Sequence, residues 1–410
     1  MNRDQIVELE RDVLIPTYDR LPTLAVRGEG CYIYDETGKK YLDFLGGLAV
    51  NSLGYNHPEI MATLRDSSET LLHVSNLLYH PYQAPLAEKL TRLSGMDRAF
   101  FANSGTEAVE GAMKLVRAYA RKHAAPGPFE RHEILALENS FHGRTFGALS
   151  ATWPKKYREP FEPLVPGVRF VRLNDTAHLQ ESFTSQVAAV MVEVIQGEGG
   201  VVEIREDLLK AAAELCHEHG ALLICDEIQC GLGRTGRFFA FTKFGLHPDI
   251  VLVAKPLAAG LPLAAILARE EVAQAFSPGM HGTTFGGGPL QCRVALKVLE
   301  ILERPGFLAQ VTEVGAYFRK ELEKLRADLP VVQEVRGDGL MLAVELLVSG
   351  KAVVRQALDA GLLINCTQEK VLRFLPPLII EKQHVDEAIT ILRPVLAALE
   401  LAAAMKGVNA

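Results

Sequence analysis

The sequence lacks the features that mark several classes of protein. Its 410 residues include six cysteines, none of them in a C-x-x-C pair, so neither a disulfide framework nor a metal site is indicated. The formal net charge is −7, and no basic cluster offers an electrostatic footprint for nucleic acid or an anionic membrane. The first residues have mixed charge without an apolar core, so we expect no signal peptide. Small molecules and protein subunits are therefore the expected partners, and the reducing cytoplasm is the expected compartment.

A long uncharged hydrophobic run is also missing. The most apolar stretch, Ile250 to Ala268, carries one charge, and a charge near the middle disfavours insertion into a membrane. Two prolines and a glycine divide the stretch into pieces of strand length. It therefore predicts a strand, a turn and a second strand.

Short apolar runs alternate with helical or turn-rich segments between about residues 98 and 268. The runs have no internal polar alternation, which predicts an α/β fold with a mostly parallel sheet of seven strands covered on both faces. Long amphipathic helices follow, with strand-like runs between them. We predict a large domain over 61–288, a smaller α+β domain over 289–410, and an N-terminal segment over 1–60 that packs on the small domain.

Two ionisable residues stand at the ends of apolar runs. Lys255 follows the run 250–254, and Asp226 follows the run 221–225. The carboxyl ends of parallel strands lie at one edge of a sheet, so the two residues could face one crevice. Burial disfavours the charged form of a lysine, which makes its amine a nucleophile for a carbonyl. A lysine and a carboxylate are the pair that pyridoxal phosphate requires, although an isolated lysine after a strand is more often an exposed loop residue.

A third component strengthens this interpretation. Ser104, Gly105 and Thr106 follow a strand-like run and open a segment with apolar residues at helical spacing. Small polar residues at such a start are ordinary N-caps, but free amides at a helix N-terminus also bind phosphate. A phosphate cup, a lysine and an aspartate together specify this cofactor better than any one of them.

A competing motif is present. Residues 231–236 match G-x-G-x-x-G, and Asp249 lies 18 positions after Gly231, close to where a ribose-binding acid is expected in a nicotinamide-dependent dehydrogenase. That motif requires a strand directly before it and a helix directly after it. Here the segment 226–230 intervenes on one side and 237–241 is no clear helix start, so nicotinamide binding is disfavoured.

Taken together, the motifs resemble those of the class III, fold-type I aminotransferases that depend on pyridoxal phosphate, and most closely those that act on acetylornithine. The resemblance covers nearly the whole chain. Its markers are 101–108 (FANSGTEA), 141–145 (FHGRT), 193–198 (EVIQGE), 226–229 (DEIQ) with 231–236 (GLGRTG), Lys255, 283–286 (TTFG) and 373–377 (RFLPP).

The resemblance implies a set of cofactor contacts. Lys255 would form the Schiff base and then move a proton, and Asp226 would keep the pyridine nitrogen protonated. Glu193 would hold the surrounding geometry, and Thr284 would reach a phosphate in the neighbouring subunit, which implies a homodimer with shared sites. The remaining implied contacts are the phosphate cup, the stacking ring and the partner of the ring hydroxyl: Ser104, Gly105, Thr106, Phe141 and Gln229. His142 is interpreted as structural.

The resemblance also implies substrate contacts. Arg144 and Arg373 would each clamp a carboxylate, and Glu198 would neutralise Arg373 in one half-reaction and release it in the other. Thr283 belongs to the same set. Leu48 stands where ornithine aminotransferases carry a tyrosine for the free α-amino group, so an acylated amino group is favoured.

The implied reaction transfers the terminal amino group of N2-acetyl-L-ornithine to 2-oxoglutarate, giving N-acetyl-L-glutamate 5-semialdehyde and L-glutamate, a step of arginine biosynthesis. Acetyl-lysine, carrier-linked aminoadipate semialdehyde, succinyl-diaminopimelate, ornithine and 4-aminobutyrate stay open as alternative substrates. From other classes, the dehydrogenase and a non-catalytic binding protein on the same scaffold also stay open.

Overall fold

The computed structural model describes residues 1–124 and 131–405, so 125–130 of the predicted large domain and 406–410 of the predicted small domain lie outside the described residues. Its strands are β1 (Ala25–Glu29), β2 (Tyr32–Asp35), β3 (Lys40–Asp43), β4 (Arg98–Ala102), β5 (Glu133–Leu137), β6 (Val168–Val171), β7 (Val187–Val192), β8 (Ile195–Gln196), β9 (Val202–Glu203), β10 (Leu222–Asp226), β11 (Ile250–Val253), β12 (Ala264–Ala268), β13 (Val332–Asp338), β14 (Met341–Leu346), β15 (Leu362–Leu363), β16 (Asn365–Thr367) and β17 (Val371–Phe374).

The helices follow the amphipathic segments of the sequence. They are α1 (Arg3–Val13), α2 (Gly46–Ala49), α3 (Pro58–Ser68), α4 (Gln83–Ser94), α5 (Gly105–Lys122), α6 (Phe146–Ser150), α7 (Lys155–Arg158), α8 (Thr176–Ser182), α9 (Glu206–His219), α10 (Glu270–Ala273), α11 (Pro289–Leu302), α12 (Phe307–Asp328), α13 (Lys351–Asp359) and α14 (Lys382–Met405). Short 3₁₀ turns cover Glu159–Phe161, Ala240–Phe244 and Lys255–Ala258. Among the described residues, none of these helices combines the length and apolarity needed to cross a membrane.

The chain divides into two compact units. The large unit comprises Pro58–Gly315 and Arg336–Met341, and the small unit comprises Met1–His57, Ala316–Val335 and the described part of Leu342–Ala410. The predicted boundary at residue 288 differs from this division. Helix α11 packs against α3 and α4, and its inner residues are fully buried there, so it is grouped with the large unit.

A seven-stranded sheet forms the centre of the large unit, in the order β4-β12-β11-β10-β7-β5-β6. All strands are parallel except β12, which runs antiparallel to both of its neighbours. Every residue of β7, β10, β11 and β12 is buried. The predicted mostly parallel sheet is therefore confirmed, and continuous apolar strands are buried on both faces as that fold requires.

Two four-stranded sheets lie in the small unit, apart from residues 336–338 of β13 and 341 of β14, which are grouped with the large unit. One has the order β1-β2-β3-β15, in which β15 joins the N-terminal strands to the C-terminal part of the chain by pairing parallel to β3. The other has the order β13-β14-β17-β16. Phe44 and Phe374 both contact Phe318 edge-on, with ring centroids 5.3 Å apart in each case, and all three rings are fully buried. This aromatic cluster holds the N-terminal segment in the core of the unit.

Candidate active site

Asp226 and Lys255 stand at the carboxyl ends of neighbouring strands. Asp226 is the last residue of β10, and Lys255 begins the 3₁₀ turn that follows β11. The two strands are parallel, with Asp226 opposite Leu252, and the amide of Glu227 donates to the carbonyl of Leu252 over 2.9 Å. Asp226 is buried and Lys255 is half-buried. The edge of the sheet therefore brings together a carboxylate and an amine, as open α/β sheets do at their ligand sites.

His142 contacts Asp226 directly, which the sequence analysis did not foresee. Its Nδ1 lies 2.7 Å from Oδ2 of Asp226, while the amide of Ile228 donates to Oδ1 over 3.1 Å. Burial alone would lower the pKa of His142, but the hydrogen bond and charge of Asp226 raise it above its ordinary value. His142 is thus part of the charged centre of the site.

Helix α5 begins at Gly105, where the sequence predicts a phosphate cup. The hydroxyl of Ser104 caps the helix by accepting from the amide of Glu107 over 3.4 Å. The first-turn amides of Gly105 and Thr106 have no acceptor within the helix, because no preceding turn exists. A Cβ at Gly105 would lie 2.9 Å from the Cδ1 of Ile228, so a glycine lets the cup approach the turn that follows Asp226. An anion at this helix end would face free donors and the positive end of the helix dipole.

The loop 141–145 is fastened to the cup by the Thr106 side chain. The hydroxyl of Thr106 accepts from the amides of Arg144 and Thr145, each over 3.3 Å. Gly143 has a φ of +137°, and a Cβ there would collide with the same hydroxyl. Only glycine fits this close approach, which sets the position of Arg144 relative to helix α5.

Glu110 fixes the other end of the loop. Its Oε1 accepts from the hydroxyl of Thr145 over 2.6 Å and from the amide of Gly147 over 2.8 Å, which caps helix α6. No local signal in the sequence distinguishes Glu110, because a glutamate one turn into an amphipathic helix looks like an ordinary surface charge. The carboxylate ties helix α5 to the loop that carries Arg144.

Glu193, directly after β7, holds the backbone of Phe141. It is buried and accepts from the amides of Phe141, over 2.8 Å, and Gly197, over 3.1 Å. Burial raises its pKa to about 7. Gln229, also buried, lies so close to Gly197 that a Cβ there would collide with its amide. Glu198 is half-buried in the turn between β8 and β9.

Arg144 presents a free guanidinium. The residue is exposed, and its guanidinium carbon lies 3.8 Å from the ring centroid of Tyr157 and 5.6 Å from that of Phe141. Among residues 1–124 and 131–405, the guanidinium has no hydrogen-bond partner. All its N–H donors are available for a carboxylate, and bidentate pairing is the geometry that arginine favours.

The threonine pair 283–284 lies in the loop before helix α11. The hydroxyl of Thr283 accepts from Nδ2 of Asn103, the residue before the cup, over 3.0 Å. Thr284 is exposed. The structure therefore places Thr283 beside the cup of its own chain and leaves Thr284 accessible from outside.

Arg373 and Leu48 belong to the small unit. Arg373 is only 1% exposed on β17, and its Nε donates to Oδ1 of Asn365 over 3.3 Å. Leu48 is 43% exposed and has a φ of +64° in the turn α2, where all four residues have positive φ. The amide of Leu375 donates to the carbonyl of Phe44 over 2.7 Å, so the chain just before α2 and the chain just after Arg373 lie side by side.

The glycine-rich loop 231–236 is built for internal contacts. The amide of Leu232 donates to the carbonyl of Phe238 over 2.6 Å, and that of Gly233 to the carbonyl of Arg237 over 3.1 Å. The buried guanidinium of Arg234 donates to the carbonyl of Leu340 over 3.1 Å. These bonds occupy amides that a dinucleotide-binding loop would direct at a pyrophosphate, which disfavours the dehydrogenase alternative.

The donor set of the large unit fits pyridoxal phosphate. The orphan amides at the start of α5 suit its phosphate, buried Asp226 suits its ring nitrogen, and the amine of Lys255 suits its aldehyde. Within the described part of the chain, no group of three or more histidine, cysteine or acidic side chains could hold a metal ion.

The chain matches a known protein family over most of its length. The family described as "Aminotransferase class-III" matches residues 14–396. The acetylornithine aminotransferase of Aquifex aeolicus is 50% identical over 384 residues, which is 93% of this chain and 99% of that protein.

Solved structures of the same family superpose closely. The ornithine aminotransferase of Toxoplasma gondii matches with a TM-score of 0.94 at 34% identity, covering 98% of this chain and 96% of that one. The acetylornithine aminotransferase of Elizabethkingia anophelis matches with a TM-score of 0.86 at 32% identity, covering 97% and 100%. The chain therefore belongs to the class III aminotransferases, which are transaminases dependent on pyridoxal phosphate.

Proposed function

We propose that this enzyme transfers the terminal amino group of N2-acetyl-L-ornithine to 2-oxoglutarate, a step of arginine biosynthesis. The observation that carries the transaminase chemistry is the pair Asp226 and Lys255 at the ends of adjacent parallel strands, beside the cup of helix α5. The choice of amino donor is supported by the relative from Aquifex aeolicus, which is named an acetylornithine aminotransferase.

The chain's own groups have distinct tasks in this proposal. When bound, pyridoxal phosphate supplies an aldehyde and an electron-withdrawing ring. Asp226, backed by His142, holds a negative charge at the ring nitrogen. The Nζ of Lys255 would take the proton from the carbon that bears the substrate's amino group. It would give up that proton later in the same half-reaction. Gly105 and Thr106 would hold the phosphate, and Phe141, whose backbone amide is held by Glu193, would cover the ring.

Two arginines would recognise the substrate carboxylates. Arg144 has free donors and is available in both half-reactions. Arg373 would bind the second carboxylate of glutamate, and Glu198 would neutralise Arg373 when acetylornithine, with one carboxylate, is the substrate. A switch of this kind is needed because one pocket must accept an acetamido group and a carboxylate in turn.

Ornithine is the second candidate donor. The Toxoplasma gondii structure with a TM-score of 0.94 is an ornithine aminotransferase, which favours this substrate. Against it, the exposed side chain of Leu48 offers no polar partner for a free α-amino group, and an unpaired ammonium ion in the site would be costly. Acetylation removes that charge, so the leucine favours the acetylated substrate.

We also propose a homodimer with shared sites. Exposed apolar side chains cluster in two segments of the large unit that lie on either side of the cup in sequence: Leu72, Leu77, Leu78, Tyr79, Met280 and Phe285. Exposed apolar side chains concentrated in this way are typical of a subunit interface. Thr284, exposed beside Phe285, would then reach the phosphate of the neighbouring subunit.

A cytoplasmic location is proposed on the cysteine chemistry. All six cysteines lie in the described part of the chain and none forms a disulfide. Burial raises the pKa of Cys31 and Cys292 to about 12, so these thiols stay protonated and unreactive. Six reduced cysteines are compatible with a compartment in which thiols are kept reduced.

The transaminase assignment is tested with Lys255→Ala. Purified wild-type enzyme should form glutamate from acetylornithine and 2-oxoglutarate, and Lys255→Ala should reduce turnover by at least about 10²–10⁴-fold, the usual worth of a positioned acid–base group. Lys210→Ala, an exposed lysine of helix α9 paired with Glu206, is the matched control and should keep normal activity. Substantial transamination by Lys255→Ala would refute the assignment.

A further inference from the structure

We propose that Tyr157 is a positioning residue for the substrate carboxylate, acting as a platform on which the guanidinium of Arg144 is held. The proposal rests on the proposed role of Arg144 as a carboxylate clamp. Arg144 gains no fixed orientation from hydrogen bonds, because its guanidinium makes none within the described chain. Its side chain is long and exposed, so some other contact must select one orientation if a carboxylate is to meet a preformed fork.

The ring of Tyr157 supplies that contact. The guanidinium carbon of Arg144 lies 3.8 Å from its centroid, which is stacking distance, compared with 5.6 Å from the centroid of Phe141. Stacking occupies the face of a guanidinium and leaves its edge free. The N–H groups on that edge are the ones that pair with a carboxylate.

The position of Tyr157 is fixed by the packing of helix α7 and its flanking residues. Tyr157 lies on the short helix α7, and its amide donates to the carbonyl of Pro154 over 2.9 Å. Trp153, just before this turn, packs edge-on against Phe170 of β6 with centroids 5.0 Å apart. The guanidinium carbon of Arg158 lies 4.7 Å from the centroid of Phe170. Helix α7 is therefore anchored to the edge strand of the large sheet.

Tyr157 also contacts the ring that is expected to cover the cofactor. Its ring meets Phe141 at an interplanar angle of 85°, with centroids 6.3 Å apart. One tyrosine therefore touches both the stacking ring and the carboxylate clamp. Through this contact, aromatic packing fixes the position of the Arg144 guanidinium relative to the Phe141 ring.

The ring carries this role, and the hydroxyl does not. The Tyr157 hydroxyl has no hydrogen-bond partner among residues 1–124 and 131–405. Phenylalanine at this position should therefore preserve the platform, and leucine should remove it. Lys156 offers a matched control for charge. Its Nζ lies 5.0 Å from the centroid of the same ring, but the residue is not proposed to bind the substrate.

The test measures binding and turnover separately in the holoenzyme. Tyr157→Leu should raise KM for 2-oxoglutarate, and the dissociation constant of the unreactive dicarboxylate glutarate measured by calorimetry, by about two- to fivefold, the value of one exposed cation–π contact. The kcat should stay within a factor of about two, because the contact is the same in ground and transition states. Tyr157→Phe and Lys156→Ala should leave all three quantities near wild type.

A double variant separates this proposal from the one it rests on. In an Arg144→Leu background, Tyr157→Leu should add nothing to the weakened glutarate binding. If Arg144→Leu itself left glutarate binding unchanged, the carboxylate clamp and with it this part of the proposed function would be wrong. If Arg144→Leu weakened binding but Tyr157→Leu did not, or if Tyr157→Leu acted equally without Arg144, or if phenylalanine failed to rescue, the platform alone would be overturned.

Discussion

At the scale of single residues, the buried pair of Asp226 and His142 determines how the site handles charge. A buried carboxylate is costly unless it is paired, and the imidazole 2.7 Å away provides the pair. The Nε2 atom of His142 is buried without a hydrogen-bond partner in the described chain, so Asp226 is the polar contact that this ring gains. The arrangement favours a fixed anion where the cofactor's ring nitrogen is expected.

Asp226→Asn is therefore predicted to keep the fold and the cofactor but to lose most of the rate. The neutral amide no longer holds the ring nitrogen protonated, so we expect kcat to fall by about 10²–10³-fold, comparable to removing one preorganised electrostatic contact elsewhere. Cofactor content is measured by absorbance and kcat by glutamate release. A near-normal rate with full cofactor content would show that another group carries the charge.

Leu48 combines exposure with a left-handed backbone. Non-glycine residues rarely have positive φ, and such residues are frequent at ligand sites, where the surrounding structure imposes them. Tyrosine has the same Cβ and no β-branch, so the substitution Leu48→Tyr adds a hydroxyl without added backbone strain.

Leu48→Tyr is predicted to shift the donor preference toward ornithine. One buried polar contact is worth about 1–3 kcal/mol, so the ratio of kcat/KM for ornithine to that for acetylornithine should rise by roughly 5- to 150-fold. Leu48→Phe controls for size without the hydroxyl and should leave the ratio near its starting value. An unchanged ratio in the tyrosine variant would remove Leu48 from the specificity set.

At the scale of elements, the turn after β10 is organised around a second buried carboxyl group. Glu227 accepts from the amides of Ala240, over 2.9 Å, and Phe241, over 2.8 Å, and so fastens the turn to the 3₁₀ segment that follows the glycine-rich loop. Burial raises its pKa to about 7, and the charge of Asp226 adds to this effect. The stability of the fold is therefore expected to depend on pH through Glu227.

The pH dependence of stability follows from this raised pKa. An acid with a pKa of about 7 when folded and about 4.5 when unfolded binds protons more tightly in the folded state. The contribution of Glu227 to the free energy of unfolding is therefore most favourable below about pH 4.5, and it is lost as the pH rises to 7. Glutamine does not titrate, so Glu227→Gln does not show this loss. The free energy of unfolding of the variant minus that of the wild type should therefore rise by roughly 2–4 kcal/mol between pH 5 and 8.

The measurement is denaturant unfolding at fixed protein concentration and saturating cofactor. The result is how the difference in free energy of unfolding between variant and wild type changes with pH. Other groups titrate equally in both proteins and cancel from this difference. A difference that stays constant between pH 5 and 8 would mean that Glu227 is ionised in the folded state throughout this range.

The elements show how far the sequence could be interpreted. The strands of the large sheet and the start of α5 were predicted because their signals are local: uninterrupted apolar runs, and a capping serine before a helical period. The contact of His142 with Asp226 joins residues 84 positions apart, so no local signal existed for it. The unit to which helix α11 belongs has no local signal either, because its pattern shows an apolar face but cannot show which unit covers that face.

At the scale of the whole molecule, the central question is whether each site needs two chains. The exposed apolar residues around 72–79 and 280–285 and the outward position of Thr284 motivate the shared site. In a heterodimer of Lys255→Ala and Thr284→Ala chains, a shared arrangement places both lesions in one site and leaves the other intact. Self-contained sites would each carry one lesion.

Mixing the two variants after reversible dissociation should therefore restore activity. Random re-association at equal amounts gives about half heterodimers, each with one intact site, so activity should approach about one quarter of the wild-type value per chain. The comparison is with the two variants re-associated separately. Activity no greater than the average of those two would favour self-contained sites.

The most direct test of the central claim is a donor panel with purified wild-type enzyme. With 2-oxoglutarate saturating, kcat/KM is measured for acetylornithine, ornithine, acetyl-lysine and 4-aminobutyrate by glutamate release. We predict that acetylornithine gives the highest kcat/KM. It should exceed the value for ornithine by roughly 5- to 150-fold, the range that one polar contact provides. An equal or higher kcat/KM for ornithine, acetyl-lysine or 4-aminobutyrate would contradict the assignment.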